Sequence, residues 1–209
     1  TSQEAVTLIE QAEYLDGEIE TVPPEGSLLP ETYHYSRGDR REAVLERMRA
    51  ALTDALAELW PRRVEGLPLS SPREAVILAS IVEKETGLAE ERPMIASVFY
   101  NRLRGGMRLQ SDPTVVYGLA GGSGALGRPL TRADLQTPTP FNTYLIDGLP
   151  PEPISNPGRA AIEAVLQPAE TEYLYFVADG NGGHRFAETL AEHNRNVAEW
   201  RRAREGDAQ

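Results

Sequence analysis

The chain of 209 residues contains no cysteine. Disulfides, thiolate nucleophiles and sulfur-ligated zinc are therefore excluded. Histidine is scarce as well: His34, His184 and His193 stand far apart without metal-ligand spacing, so no metal site is expected. Bases are outnumbered, 21 against 32 acids, for a net charge of −11. That balance argues against a nucleic-acid partner, which needs a basic face, and offers no attraction to anionic lipid. No apolar run approaches the roughly 18 residues of a membrane span. The opening "TSQEAV" has neither the basic start nor the apolar core of a signal segment, which fits either a whole chain or a fragment of a longer precursor. There is also no phosphate-cradling glycine loop and no serine-centred nucleophile elbow. By elimination, acid–base chemistry by carboxyl groups is the enzymatic option left.

What is present suits a globular protein of one large domain, or one domain plus an appendage. A short helix is expected from Ser2 to Tyr14, then a strand-like "GEIETV" ending at Pro23-Pro24. "REAVLERMRAALTDALAELW" keeps apolar residues at helical spacing until Pro61 stops it. Ser71, Pro72 and Glu74 form the pattern of a capping box, announcing a helix to about Thr86 with Gly87 as its stop. A further helix is expected from Glu90 to Leu103. The stretch from Gly105 to Gly158 is rich in Gly and Pro and reads as a long functional loop region. A short helix from Arg159 to Leu166 follows. "EYLYFVA" and "HRFA", joined by "DGNGG", predict a β-hairpin, and a closing helix ends the chain. The fold class expected is α+β, helix-rich, with a small sheet.

Within "AVILASIVEKETG" two glutamates follow a greasy run. On a helical wheel that starts at Glu74 and advances 100° per residue, Glu85 falls at about 20°, amid Ala75, Ile77, Leu78, Ile81 and Val82. Glu83 falls at about 180°, an outward or rim position. A carboxyl on a buried face is costly unless paired or neutralised, and burial raises its pKa toward that of a useful proton donor. The same position also fits a glutamate that escapes to solvent at a fraying helix end or pairs with an arginine. "RLQSDPTVVYG" groups Gln110, Ser111, Asp112, Thr114 and Tyr117 around Pro113, as a cleft lining or as ordinary turn chemistry. "TPFNTYLIDGLPPEPISNPG" sets Asn142 and Tyr144 between prolines, as a sugar-contacting loop or an irregular one.

These stretches resemble a known family. "ASIVEKETGLAEERPMIASVFYNRLRGGMRLQSDPTVVYG", "DLQTPTPFNTYLIDGLPPEPISNPG", "YLYFVADGNGGHRFAETLAEHN" and the upstream "EGSLLPETY" are similar, in order, to the signature of the endolytic murein transglycosylases of the MltG/YceG-like family. The resemblance covers about Glu25 to Val197. It implies a peptidoglycan lytic transglycosylase that cleaves between N-acetylmuramic acid and N-acetylglucosamine without water, leaving 1,6-anhydro ends and terminating nascent strands. It implies Glu85 as the single acid–base residue, followed by the small hydroxyl residue Thr86, and no cofactor. Glu83, Gln110, Asp112, Tyr117, Asn142 and Tyr144 are implied as residues that bind sugar or orient Glu85. The likeness also implies that residues 1–24 are the tail of a LysM-like module and 25–209 the catalytic domain. The whole protein would be anchored at the outer, periplasmic face of the cytoplasmic membrane, near the cell-wall synthesis machinery. Two other readings stand beside it: a hydrolytic muramidase using Asp112 as second carboxylate, and a glycan-binding module without catalysis.

Overall fold

The computed structural model describes residues 1–206. Helix α1 (Ser2–Gln11) starts at a full capping box, Thr1 accepting from the Glu4 N–H while the Glu4 carboxylate returns to Thr1. The helix stops short of the expected Tyr14, which turns the chain with φ 69°. "GEIETV" forms no strand; the nearest ladder contact is an isolated bridge between Asp16 and Arg40. One bridge supplies no partner along which a strand can continue. The Arg41 guanidinium instead donates to the carbonyl oxygens of Ile9 and Gly17, holding the connector without a sheet.

Helix α2 (Arg41–Leu59) buries Val44, Leu45, Met48, Leu52, Ala55 and Leu59, the spacing of one helical face. Its first half closes a small cluster with Leu15 and Leu28, and its second half enters the main core. Pro61 lies in a short 3-10 turn directly after it.

Helix α3 (Pro72–Glu85) is the central element, buried without a break from Ala75 to Val82. Ser71 caps it by accepting from the Glu74 N–H, but the Glu74 carboxylate bonds Ser70 instead, so half of the expected box forms. Helices α4 (Arg92–Arg104) and α6 (Arg159–Leu166) pack on α3 and on each other. Leu78, Ile81 and Phe99 lie between them at 1% exposure or less, each such burial contributing about 1.5–3 kcal/mol. Gly87 is not the expected left-handed stop. Thr86 leaves the helix extended, at φ −144° and ψ 141°, and its hydroxyl is tied to the Leu88 N–H and the Glu91 carboxylate. That tie makes the turn without a positive φ.

The region from 105 to 158 contains a helix where only loop was expected, α5 (Asp112–Leu119). Pro113 sits in its first turn, where the missing N–H has no partner to lose. Apart from a short 3-10 turn at Asp134–Gln136, the rest of the region is irregular and straps onto α3. The Ile154 N–H donates to Ser80 Oγ and the Ser155 hydroxyl to the Ser80 carbonyl oxygen, both at 3.0 Å. Gly26, at φ 70°, comes so close to Pro153 that a Cβ would strike the ring. Strands β1 (Tyr175–Ala178) and β2 (His184–Ala187) form the antiparallel hairpin, Tyr175 opposite Ala187. Helix α7 (Leu190–Gly206) packs against both strands. The whole is an α+β fold, and among the described residues no helix is long and apolar enough to cross a membrane.

Candidate active site

A cavity of about 420 Å³ opens where the end of α3, the start of α5 and the hairpin meet. Its size falls within the range of ligand sites. Glu85, the last residue of α3, faces into it, with Gln110, Asp112 and Tyr144 along one side. Four of the seven residues expected at a site thus share one cavity.

Glu85 is half-buried, and its carboxyl is ringed by protein on every side but the cavity. Burial dominates its titration and pushes it up to about 7; the Ser111 hydrogen bond and the Arg102 charge pull down, while the negative charge of Asp112 pushes up. The Ser111 hydroxyl donates to Glu85 Oε1 at 2.5 Å. Ser111 is itself held: its backbone N–H donates to Thr143 Oγ1 at 2.9 Å, and the Thr143 hydroxyl meets that of Thr114 at 2.8 Å. Gln110, just before it, takes φ 51° and donates its N–H to the Thr143 carbonyl oxygen. A non-glycine residue in that region is strained, and here two buried threonines maintain the bend.

Tyr144 donates its hydroxyl to Asp112 Oδ1 at 2.6 Å. Burial and this bond to a carboxylate both raise the tyrosine's pKa, so it stays a neutral donor. Asn142 does not line the cavity. It is fully buried, donates to the carbonyl oxygens of Leu135 and Thr137, and accepts from the Tyr144 N–H. Its place is behind Tyr144, shaping the loop that carries it. Tyr117 also lies outside this cavity, with its ring edge-on to Phe141 at 4.9 Å. Glu83 accepts from the Gly158 N–H at the start of α6 and pairs with Arg92 at 3.6 Å, joining three helices away from the cavity.

Several lining residues were not foreseen. Arg102, only 7% exposed, donates through Nε to the Leu174 carbonyl oxygen and through Nη1 to that of Leu109. Burial lowers its pKa. Its signal was in the sequence: a charge three, four and seven residues after Phe99, Val98 and Ile95, on the apolar face of α4, as Glu85 is on α3. Tyr175 lies under the Arg102 guanidinium at 5.2 Å and stacks on His193 at 5.2 Å. Phe176 and His184 complete the hairpin side. Thr86, expected beside Glu85, bonds Glu91 instead of the cavity. Among the described residues no three His, Asp or Glu side chains come together as metal ligands would.

This arrangement can deliver and recover a proton at neutral pH beside a groove of aromatic rings and polar hydrogen-bonding groups. Similar proteins are known. An endolytic murein transglycosylase of Bacillus subtilis is 38% identical over 176 residues, 83% of this chain and 47% of that protein. One from Streptococcus pneumoniae is 36% identical over 181 residues, 84% of this chain and 32% of its own length. The chain thus spans about half, or a third, of the curated relatives it matches. The crystal structure of a YceG-like protein from Listeria monocytogenes superposes with a TM-score of 0.72 at 38% identity, covering 93% of this chain and 62% of that one. The model of the YceG-like family matches residues 1–199, so the chain belongs to that family.

Proposed function

We propose that this protein is an endolytic lytic transglycosylase that cuts the bond from N-acetylmuramic acid to N-acetylglucosamine in peptidoglycan glycan strands. The observation that carries the reading is Glu85, a carboxyl with a pKa raised to about 7 and open to a cavity of about 420 Å³ lined by aromatic and polar side chains. The names of the relatives, endolytic murein transglycosylases, support the substrate. Protonated Glu85 gives its proton to the glycosidic oxygen as the bond to the anomeric carbon breaks. The resulting carboxylate then takes the proton of the muramyl 6-hydroxyl as that oxygen closes on the same carbon. The product is a 1,6-anhydro end and Glu85 is restored, so one carboxyl serves where glycosidases need two. Gln110, Asp112 and Tyr144 are assigned to hold the sugar, and Ser111 to orient Glu85. The site of action we assign is the outer face of the cytoplasmic membrane, on strands being synthesised.

A hydrolytic muramidase is the second reading, favoured by one fact: Asp112 faces the same cavity as Glu85. Digestion of purified peptidoglycan by the wild type and by Glu85→Gln, with products weighed, decides between them. Anhydro ends from the wild type and none from the variant are expected. Reducing ends, one water heavier, would overturn the transglycosylase reading, and equal activity of the two proteins would remove Glu85 from the chemistry.

A further inference from the structure

On the hairpin side of the cavity the imidazole ring of His184 is held in place from behind. Glu91, just before α4, is only 6% exposed, and its carboxylate is spent on protein donors. Oε1 accepts from the His184 backbone N–H at 2.7 Å, and Oε2 accepts from the Thr86 hydroxyl at 2.9 Å. Oε2 also lies 2.8 Å from His184 Nδ1. The approach is close enough that a Cβ on Gly183 would fall 2.8 Å from Oε1, so a larger residue there would displace the carboxylate.

These contacts decide which ring nitrogen carries the proton in the neutral imidazole. Burial works to raise the Glu91 pKa, but the hydrogen bonds from His184 and Thr86 outweigh it and hold the group below its ordinary range. Ionised, Glu91 can only accept, so Nδ1 of His184 carries the proton. In the neutral ring Nε2 is then a lone-pair acceptor. His184 lines the cavity, its side chain is 14% exposed, and Nε2 has no partner among the described residues. Phe176 meets the ring edge-on at 5.3 Å, which limits its tilt.

We propose that His184 is a further substrate-contacting residue of this cavity, Nε2 accepting a hydrogen bond from a glycan hydroxyl, with Glu91 as the positioning residue that fixes its tautomer. The proposal rests on the glycan-cleaving reading above, and it adds a contact from the hairpin to those assigned to Gln110 and Asp112. Such a bond is lost if the ring is removed, and weakened if the ring is free to carry its proton on Nε2.

The test uses Glu85→Gln protein, which binds without turning over, and a tetrasaccharide of alternating N-acetylglucosamine and N-acetylmuramic acid as probe. Nitrogen-15 chemical shifts of the ring should report Nδ1–H and unprotonated Nε2, with Nε2 moving when the tetrasaccharide is added. His184→Asn, placed on the same background, keeps a donor for Glu91 where Nδ1 stood and removes Nε2. It should unfold within a few degrees of its parent yet bind the probe about tenfold more weakly. Glu91→Gln, able to donate toward Nδ1, should show a mixed tautomer and an intermediate affinity. Binding that is intact in His184→Asn, or an Nε2 resonance that does not respond to bound probe, overturns the histidine assignment alone. Failure of the probe to bind any of the proteins overturns it together with the glycan reading.

Discussion

Ser111, at the entry to α5, donates a hydrogen bond from its hydroxyl to Glu85, at the exit from α3, across 2.5 Å. A donor to a carboxylate stabilises its charged form, so this bond restrains the rise in pKa that burial causes. A general acid must be protonated to act, and the rate of the wild type should therefore fall as pH climbs through about 7. In Ser111→Ala the restraint is gone, and the falling limb should move to higher pH, with maximal rate reduced about tenfold from looser aim. A pH profile of anhydro-product formation measures both. A limb that stays in place would show that Ser111 does not act on the titration of Glu85.

The same carboxyl links stability to pH. Its folded pKa of about 7 lies above the ordinary 4.5, so the folded state holds the proton more tightly than the unfolded chain. The associated stability is complete below pH 4.5 and is lost as pH rises through 7. Glu85→Gln cannot ionise and should be the more stable protein at pH 8, by at most about 3 kcal/mol. Near pH 4 the two should converge. Urea unfolding at both pH values checks this, and equal midpoints at pH 8 would mean that the ionised carboxyl is well solvated.

Arg102 knits α4 to the approach of β1 and to the segment before Gln110, through the carbonyl oxygens of Leu174 and Leu109. Methionine would fill much of the space but leave those acceptors buried and unpaired. A loss of about 3–5 kcal/mol is expected for Arg102→Met, a drop in Tm of roughly 10 °C. Calorimetry supplies the number. A drop of only a degree or two would mean that water replaces the guanidinium.

Asn142 separates the uses of a buried amide and a sugar ligand. Its three partners are all backbone groups, and none of its surface is exposed. Asn142→Ala should cost about 2–3 kcal/mol of stability, while KM measured well below the transition stays within about twofold. A tenfold rise in KM with unchanged Tm would place Asn142 against the substrate instead.

Local signals in the sequence were good guides where chemistry is local. The wheel set Glu85 on the apolar face and Glu83 off it, and the folded chain keeps them apart, one at the cavity and one at a helix junction. The Ser71 cap, the span of α6 and the hairpin register likewise follow from residues a few positions apart. Helix α5 was missed because Asp-Pro opens turns and helices alike, and only the packing of Val115 against the core selects the helix. "GEIETV" has the alternation of a strand but finds no partner strand, which no local pattern reveals. The site partners are the least legible part. Ser111 meets Glu85 across 26 positions, and His184 meets Glu91 across 93. Contacts of that span depend on how α3, α4 and the hairpin are stacked.

The two carboxyls of the cavity also stand at opposite ends of helices. Glu85 is the final residue of α3, and Asp112 the first of α5. Aligned peptide dipoles give a helix a partial negative charge where it ends and a partial positive charge where it begins, each about half an elementary charge. The backbone therefore pushes Glu85 toward keeping its proton, in the same direction as its burial. Two short helices thus meet one cavity with opposite ends of their dipoles, and the field across it is uneven before any ligand enters.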